Sequence, residues 1–286
     1  MIAAKGSAAR RSRGRPRRTS AGTGLPAHAH NPLFNDSAQK ALAVLEAFGR
    51  GRRVLKLAEA AELAGITKAS AQRCIHTLEV LGYLRRDRRS TGWVLTPRAL
   101  GIAHAYLSGY HLIEQATQHL VDLNRATGES VSLSEPDGTD MVFVARFPSH
   151  KRFLIHMPIG RRLPMYCTAS GRAFLSALPA AEAQRLLRQC SLQPLTPMTI
   201  TDPRRILELI EVAHRDGFAC SDQECYRGDL TVAAPVLGEG GHPVGAVSIS
   251  APTSRWTLAE MRGKIAPLVM ETARAVSSGA VPQAHG

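Results

Sequence analysis

The sequence predicts an α+β protein with a small N-terminal domain and a larger C-terminal domain. Three observations predict this fold class. The chain has 286 residues, of which 44% are hydrophobic, which is enough to build two cores. Before Gly109, the hydrophobic residues recur at helical spacing. Beyond Gly109, their spacing predicts a mixed order of strands and helices. The net charge of +13 is confined to the N-terminal end.

Positive charge separates the two ends of the chain. Residues 1–32 contain seven Lys and Arg and no acidic residue, and residues 33–108 contain twelve basic and six acidic residues. Residues 109–286 contain seventeen of each and are neutral. This distribution indicates that the N-terminal end meets a polyanion, which is nucleic acid or an anionic lipid surface.

Composition also predicts the compartment and the state of the cysteines. No stretch approaches the length of a membrane span, and the N-terminus lacks the apolar segment of a secretory signal, so we expect a cytoplasmic protein. The five cysteines contain no C-x-x-C pair, which predicts reduced thiols rather than a disulfide or zinc framework. They are Cys74, Cys167, Cys190, Cys220 and Cys225.

The first 32 residues are rich in Arg, Ala, Gly, Ser and Pro, which predicts a disordered basic tail. Within it, residues 13–16 read R-G-R-P. This resembles the core of an AT-hook, whose arginines lie in a narrow A·T-rich minor groove. A non-specific phosphate-binding arm is the favoured interpretation, and a solubilising tail is a further alternative.

Residues 33–96 are predicted to contain three helices. The first begins near Ser37, the second spans Leu57 to Ala64, and Thr67 is placed to cap the third, Lys68 to Leu81. Two helices joined by a turn that contains Gly65 form a helix-turn-helix. The predicted buried stripe of the third helix is Ala71, Cys74, Ile75, Leu78 and Leu81.

The opposite face of the third helix carries the side chains that suit DNA. Gln72 and Arg73 can bond to base edges, whereas lysine and serine suit phosphates. Glu79 is expected on the solvated side, where it would repel phosphate. An ordinary amphipathic helix with a solvated polar face is the alternative. The predicted DNA contacts of this segment are Thr67, Lys68, Ser70, Gln72, Arg73 and His76.

A strand, a turn and a strand follow this helix, from Gly82 to Arg86 and from Trp93 to Thr96. Four arginines crowd the hairpin with a single Asp87 among them, which favours a wing against the phosphate backbone over a solvated loop. The segment is therefore predicted to be a winged helix-turn-helix. The predicted wing contacts are Arg85, Arg86, Arg88 and Arg89.

Several stretches of this segment resemble the IclR family of transcriptional regulators. They are Gln39–Phe48, Leu57 through Leu84, and Leu95–Leu100. The resemblance implies a sequence-specific DNA-binding transcriptional regulator, acting as a homodimer or dimer of dimers and controlled by a small acid. The family usually begins its recognition helix with Leu-Pro, where this chain has Ile66-Thr67. That difference bears on the DNA sequence read.

A linker helix is predicted over residues 97–109, with Pro97 at its first position. In the family this helix joins the domains and contributes to dimerisation. Residues 110–278 then show a mixed order that predicts an antiparallel-rich sheet flanked by helices, similar to the family's GAF-like effector-binding domain; residues 279–286 form a C-terminal tail. Predicted helices are His111–Thr127, Ala169–Leu178, Ala180–Gln189, Pro203–Asp216 and Leu258–Ser277, and predicted strands Val131–Glu135, Met141–Arg146, Phe218–Ser221, Leu230–Leu237 and Pro243–Ser250.

The C-terminal half offers no coherent catalytic motif. It has neither a G-x-S-x-G elbow nor an H-E-x-x-H pair. Asp222 and Glu224 lie close together without any mark of an acid/base pair, and Cys220 and Cys225 are interpreted as packed thiols. We therefore expect no enzyme activity, no cofactor and no metal.

The resemblance instead implies an effector pocket between the sheet and a loop-helix segment. Ser221 stands where the family usually has the first acid of an Asp-Asp-Glu-Glu run, which would favour an anionic effector. Arg146 is a candidate counter-charge, as are Arg152, Arg161 and Arg162, although the last two could form a solvated turn. The hydroxyls could also serve only local backbone groups. The other predicted effector contacts are Leu163, Ala169, Ser170, Asp222, Thr231, Ser248 and Ser250.

The context of Arg146 and the stretch Leu195–Asp202 are similar to the branch of the family that controls aromatic-acid and β-ketoadipate catabolism. An aromatic or dicarboxylic acid is therefore the expected effector. Two alternatives stay open. One is an architectural DNA-binding protein with a structural, ligand-free C-terminal domain, and the other is an enzyme fused to a DNA tether.

Overall fold

A computed structural model of the chain describes residues 31–49, 52–109, 111–151 and 157–279. The chain divides into two compact units, Met1–Ala103 and His104–Gly286. Residues 1–30 of the predicted basic tail, including the R-G-R-P motif, lie outside the described residues. Arg152 also lies outside them. No described helix is both long and apolar enough to cross a membrane.

The first unit is a winged helix-turn-helix, as predicted. Asn35 and Thr67 cap the first and third helices, and the Thr67 hydroxyl accepts the backbone N–H of Ser70 at 3.2 Å. Val44, Ile75 and Trp93 are among the side chains that pack between the helices and the hairpin. The elements are α1 Asp36–Ala47, α2 Leu57–Leu63, α3 Lys68–Val80, β1 Leu84–Arg86 and β2 Trp93–Leu95.

The buried stripe of α3 is narrower than predicted. Ala71, Ile75 and Leu78 are buried, whereas Cys74 is half-buried and Leu81 is 49% exposed. At 100° per residue, Cys74 and Leu81 lie on the same flank of the stripe, at its edge. The prediction that both belong to the core is therefore wrong for Leu81 and only partly right for Cys74.

The linker helix α4, Ala99–Gly109, begins two residues later than predicted. Thr96 is held against the hairpin, since its hydroxyl donates to the carbonyl of Gly82 at 2.5 Å. Pro97 therefore lies in the turn before the helix, and its carbonyl accepts the N–H of Leu100 at 3.0 Å. The boundary between the two units falls within this helix.

The second unit is built on one six-stranded sheet in which every neighbouring pair is antiparallel, in the order β5-β4-β3-β8-β7-β6. The predicted antiparallel sheet is thereby confirmed. The short strand β5 was not predicted, because three residues are too few for a recognisable alternation. The strands are β3 Ser130–Asp137, β4 Asp140–Phe147, β5 Arg162–Pro164, β6 Ala219–Asp222, β7 Asp229–Leu237 and β8 Pro243–Pro252.

The helices of the second unit agree with the predicted ones except in the helix that begins at Ala169 and in the last helix, which also extends to Gly279 rather than Ser277. The predicted Ala169–Leu178 ends at Ser176, and the predicted Leu258–Ser277 is interrupted by a π-helical turn at Met261–Ile265. The helices are α5 His111–Thr127, α6 Ala169–Ser176, α7 Ala180–Gln189, α8 Pro203–Asp216, α9 Leu258–Glu260 and α10 Ala266–Gly279.

The two faces of the sheet differ in chemistry, because successive side chains on a strand point to opposite faces. One face is apolar and packs with α5 and α10 through residues such as Leu133, Val232 and Ile249. The other face is apolar only in part, where Ala233 and Ala246 pack in the cluster that contains α6 and α8. Its remaining positions carry a group of hydroxyls, at Ser132, Ser221, Thr231, Ser248 and Ser250.

Helix α6 begins in direct contact with the 3-10 turn Met165–Cys167. A Cβ atom placed on Gly171 would lie 2.3 Å from the Met165 Cα and carbonyl oxygen, so only glycine fits. This close approach sets the position of the helix start over the polar part of the sheet.

We expect Gly171→Ala to lower the free energy of unfolding by about 3 kcal/mol, at the upper end of overpacking costs, since two backbone segments must separate to admit the methyl group. Urea unfolding followed by circular dichroism measures the change. The matched control is Gly263→Ala, at a helical glycine whose Cβ would meet nothing within 4 Å. Equal stability of the two variants would contradict the packing argument.

Candidate nucleic-acid interface and small-molecule cavity

The outward face of α3 is presented as predicted. Lys68, Gln72, Arg73 and His76 are exposed, so their side chains are available to a groove. Ser70 is half-buried, and the Thr67 hydroxyl donates to its hydroxyl at 3.0 Å. These two hydroxyls therefore serve the helix start as well as any phosphate.

The wing exposes all four of its arginines. Its single acid, Asp87, accepts the Ser90 hydroxyl at 2.8 Å and the Arg89 backbone N–H at 3.2 Å. The bond from Ser90 holds the pKa of the Asp87 carboxyl below its usual value. The Asp87 carboxylate thus closes the turn, and the exposed arginines leave the surface of the wing positively charged.

A stack of three side chains joins the wing to α3. The Arg86 guanidinium lies 3.8 Å from the centre of the Trp93 ring, and the Trp93 Nε1 donates to Glu79 at 3.3 Å. Arg86 Nε is 3.9 Å from the Glu79 carboxylate. The expectation that Glu79 lies on the solvated side is therefore wrong, because this residue is half-buried and ties α3 to the hairpin.

In the second unit, a cavity lies over the hydroxyl-bearing part of the sheet. Its space free of protein atoms is about 460 Å³, part of which is open to solvent. Met141, Phe143 and Met157 are among its apolar walls. Seven of the nine residues predicted to contact an effector line it: Leu163, Ala169, Ser170, Ser221, Thr231, Ser248 and Ser250.

The other two predicted residues lie elsewhere. Asp222 follows Ser221 on β6, so it points to the opposite face, and its carboxylate accepts the Gln223 side-chain amide at 3.1 Å. Arg146 lines a smaller adjoining cavity and donates to the Ser132 hydroxyl at 3.0 Å. The two cavities share Met157, Asp229 and Ser250.

Arg161 and Arg162, which follow Gly160, make contacts at the surface. Arg161 donates to the Tyr226 hydroxyl at 3.3 Å, and Arg162 pairs with Asp137 and Asp140. These contacts place Arg162 in an exposed ion-pair cluster at the edge strand β5. The predicted alternative of a solvated turn describes it better than a counter-charge in the cavity.

The first turn of α6 directs donors into the cavity. The Thr168 hydroxyl accepts the N–H of Gly171 at 3.0 Å, which caps the helix. The helix itself supplies no acceptor for the N–H groups of Ala169 and Ser170, and both residues line the cavity. Their N–H groups and the partial positive charge of the helix start suit a carboxylate.

A buried ion pair fixes this helix start against the turn between β6 and β7. Arg172 is 1% exposed, and its Nη1 and Nη2 atoms lie 2.5 and 2.6 Å from the two carboxylate oxygens of Glu224. Its Nε donates to the Tyr166 carbonyl at 2.9 Å, and Glu224 accepts the Ile200 N–H at 3.1 Å. Sequence reasoning missed this pair, because 52 residues separate its members.

Asp229 is a second residue that sequence reasoning missed. It lies where the two cavities meet, and it accepts the Thr231 hydroxyl at 3.0 Å, which also bonds Ser250 at 3.1 Å. Burial raises the pKa of Asp229 to about 7, outweighing the hydrogen bond from Thr231 and the charge of Arg146. A charged residue that opens an apolar strand after Gly228 was the available signal.

This pKa predicts a pH-dependent stability. The folded protein keeps the Asp229 proton up to about pH 7, whereas the unfolded chain, with an ordinary value of 3.8, releases it earlier. The contribution of Asp229 to the free energy of unfolding is therefore full at pH values below the pKa in the unfolded chain. It is lost as the pH rises toward 7, with a slope approaching about 1.4 kcal/mol per pH unit. Asp229→Asn should remove this loss.

We expect the free energy of unfolding of Asp229→Asn, relative to the wild type, to rise between pH 5 and pH 8. Urea unfolding at both pH values measures the difference. Asp222→Asn is the matched control, because this neighbouring carboxylate lies off the cavity and should leave the difference unchanged. A wild type and an Asp229→Asn variant with parallel pH profiles would contradict the assignment.

Two family models match the chain. Residues 37–88 match the IclR helix-turn-helix domain, and residues 104–278 match the C-terminal domain of the bacterial transcriptional regulator IclR. Among the described residues, no group of three or more His, Cys, Asp and Glu side chains is placed to hold a metal ion.

Relatives of named function agree with these matches. The Pca regulon regulatory protein of Pseudomonas putida is 30% identical over 87% of this chain and 86% of its own length. The p-hydroxybenzoate hydroxylase transcriptional activator of Acinetobacter baylyi is 33% identical over 82% of this chain and 88% of its own length. The predicted resemblance to the aromatic-acid branch is thereby confirmed.

A solved structure shares the fold. A transcriptional regulator from Rhodococcus sp. RHA1, RHA06195, is 34% identical to the chain and superposes with a TM-score of 0.72. The match covers 86% of this chain and 98% of that one. The winged helix-turn-helix and the sheet-based C-terminal unit are thus the architecture of a known group of proteins.

Proposed function

Since the chain belongs to the IclR family of transcriptional regulators, we propose that α3 and the wing read a specific DNA site and that a small organic acid in the cavity controls this binding. One observation carries the sensing half of the proposal. Hydroxyls and helix-start donors predicted from sequence, on α6, β6, β7 and β8, converge on a single cavity. If these hydroxyls served only to bond nearby backbone groups, they would not need to line the same cavity.

The exposed face of α3 is proposed to enter the major groove. Gln72 and Arg73 have the paired donors and acceptors that recognise adenine and guanine edges, and His76 marks the end of the contact. Lys68 and the two hydroxyls at the helix start face phosphates. Beyond His76, Glu79 is turned toward the wing and is occupied by Trp93.

The wing is proposed to lie on the phosphate backbone. Arg85, Arg88 and Arg89 are exposed, and each neutralised phosphate strengthens binding in a salt-dependent way. Arg86 stacks on Trp93 and so contributes charge at a fixed position. The wing therefore supplies affinity, whereas α3 supplies discrimination.

The effector is proposed to be an aromatic or dicarboxylic acid. Its carboxylate would meet the N–H groups of Ala169 and Ser170, and its apolar part would lie between Met141 and Phe143. A second acidic group would approach Arg146 in the adjoining cavity. Two relatives, a Pca regulon regulatory protein and a p-hydroxybenzoate hydroxylase transcriptional activator, support this class.

A homodimer or a dimer of dimers is the proposed assembly. Helix α4 has no buried residue within the described chain, and its Leu100 and Ile102 are 68% and 59% exposed. An apolar helix of this length is marginal in water on its own, which favours a partner helix. Two copies would then read a palindromic site.

We expect Arg73→Ala to lose discrimination between specific and random DNA, by about 1–3 kcal/mol at the contacted base pair. The specific site is first selected from a randomised oligonucleotide pool with the wild-type protein. Fluorescence anisotropy then measures affinity for that site and for random DNA. If both affinities fall equally, Arg73 contacts phosphate only.

Arg89→Ala is the comparison variant on the wing. We expect it to weaken both DNAs to a similar extent and to reduce the slope of log affinity against log salt by about 1. Discrimination that is lost in this variant instead would assign base reading to the wing.

The sensing half is tested by the melting temperature of the purified full-length chain in the presence of acids. A ligand that binds only the native state raises it. We expect 4-hydroxybenzoate or adipate to raise it and the neutral analogue benzamide to leave it unchanged. Ser250→Leu fills the cavity and should abolish the shift while sparing operator binding.

Ser254→Leu is the matched control, because the same substitution at this exposed position lies outside both cavities. It should keep the shift of the wild type. An acid-induced shift that survives Ser250→Leu would move the pocket elsewhere. If no organic acid changes melting or DNA affinity, the architectural alternative replaces the sensing half.

A further inference from the structure

We propose that Cys167 and Cys225 are an oxidisable dithiol in the wall of the cavity, which a hydroperoxide converts into an intramolecular disulfide. The two Sγ atoms lie 3.6 Å apart, although 58 residues separate them in the chain. Cys167 ends the 3-10 turn before α6, and Cys225 lies in the turn between β6 and β7. Both are free thiols, and Cys225 lines the cavity.

The two thiols are in contact through more than one polar atom. The Cys225 Sγ also lies 3.3 Å from the Cys167 carbonyl oxygen, so its one S–H hydrogen can be shared between that oxygen and the Cys167 sulfur. Cys167 is fully buried, whereas Cys225 is half-buried at the wall of a cavity that opens to solvent. A small oxidant that enters the cavity therefore meets Cys225 first, with Cys167 directly behind it.

The surrounding contacts hold the two segments together. The ion pair of Arg172 and Glu224 joins them one residue from Cys225, and the Ser221 hydroxyl donates to the Cys167 carbonyl at 3.2 Å. Gln223 takes a left-handed backbone conformation, with φ of 56°, and its carbonyl accepts the Thr196 hydroxyl at 2.7 Å. Such a conformation persists only where its surroundings impose it, so the turn and its thiol are held in place.

The pKa values of the two thiols are shifted in opposite directions. The hydrogen bond from Cys225 lowers the pKa of Cys167, and the same bond, together with burial, raises the pKa of Cys225. A single thiolate is therefore formed more easily in the pair than in an isolated buried thiol. Burial raises the pKa values of the two other thiols of the unit, Cys190 and Cys220, to about 11. The pair is thus the more reactive site.

The proposed reaction balances with one hydroperoxide. Once the pair has lost one proton, the remaining proton can pass to the Cys167 sulfur, so the Cys225 sulfur that faces the cavity attacks the peroxide oxygen as the thiolate. The O–O bond breaks, and a sulfenic acid forms on Cys225 while the other peroxide oxygen leaves as water or an alcohol. The second sulfur then displaces the hydroxyl group as water and forms the S–S bond. The two cysteines together lose two electrons and two protons, and the sulfurs move from 3.6 Å to about 2.05 Å.

The link would change the cavity that contains Cys225. It draws the turn between β6 and β7 toward the start of α6, where Ala169 and Ser170 line the same cavity. On the proposed sensing function, oxidation would therefore alter acid binding. The formation of the link itself does not depend on that function.

Peptide mapping of the oxidised full-length protein tests the proposal. The reduced chain is treated with hydrogen peroxide, unfolded in iodoacetamide to block the remaining thiols, and digested for mass spectrometry without reduction. We expect a peptide that links Cys167 to Cys225, at least about tenfold more abundant than any other cysteine pair and reversed by dithiothreitol. Three of the five cysteines should remain open to alkylation.

Two variants provide the comparison. Cys220→Ser should give the same linked peptide as the wild type, because Cys220 lies outside the pair, whereas Cys225→Ser should give none. Wild-type mapping decides the question by itself if Cys225→Ser fails to fold. Full alkylation of both thiols after oxidation, oxidation beyond sulfenic acid without a link, or equal links to Cys190 would overturn the proposal.

The mapping is performed without any organic acid, which separates the two proposals. Absence of the link overturns the dithiol and leaves the sensing function untouched. Absence of an acid-induced melting shift in the reduced protein overturns the sensing function and leaves the dithiol untouched. If oxidised protein retains the shift of the reduced protein, the link forms without altering the cavity, and that consequence is rejected.

Discussion

The buried pair of Arg172 and Glu224 is the interaction on which the C-terminal unit most depends at its cavity. Taking both charges out of water is costly, and the two-fold contact together with the bonds to Tyr166, Cys220 and Ile200 offsets that cost. Loss of either partner would leave an uncompensated buried charge. Because the pair joins the start of α6 to the turn between β6 and β7, it also places the donors on one wall of the cavity opposite the hydroxyls on the other.

The sheet prepares the cavity by leaving one part of a buried face polar. Ser221 and Ser248 are buried on the side where a structural sheet would carry valine or isoleucine, and buried hydroxyls are unfavourable unless they are bonded. Some of them bond within the protein, as Thr231 does with Ser250. Ser221 likewise donates to the Cys167 carbonyl, and these hydroxyls are grouped under the first turn of α6, where the proposed effector would meet them.

Much of this architecture could be predicted from the sequence, because it rests on local pattern. The period of the hydrophobic residues predicted α5, α7 and α8 to their observed ends, and Thr67 was recognisable as a cap. Pocket residues were carried over from a family resemblance, and the cavity contains most of them. Their role in binding stays a prediction.

What could not be predicted depends on contacts between distant segments. Arg172 and Glu224 give no spacing signal, and neither do Cys167 and Cys225, since only the fold brings them together. Asp229 looks like any polar residue at a strand start until burial raises its pKa. Glu79 was misplaced for a similar reason, because its partners Trp93 and Arg86 come from the hairpin that follows.

The contacts among Glu79, Trp93 and Arg86 also have a consequence for how such a regulator diverges, because they hold the hairpin against α3 without using Arg73. They brace the hairpin against α3 beside Gln72 and His76, which line the same surface cleft as these three side chains, whereas Arg73 stands exposed farther around the helix. Substitutions of Arg73 therefore leave the brace intact, whereas substitutions of Gln72 and His76 alter side chains beside it. A lineage of such proteins can exchange one recognised sequence for another without rebuilding the scaffold that holds the helix and the hairpin in register.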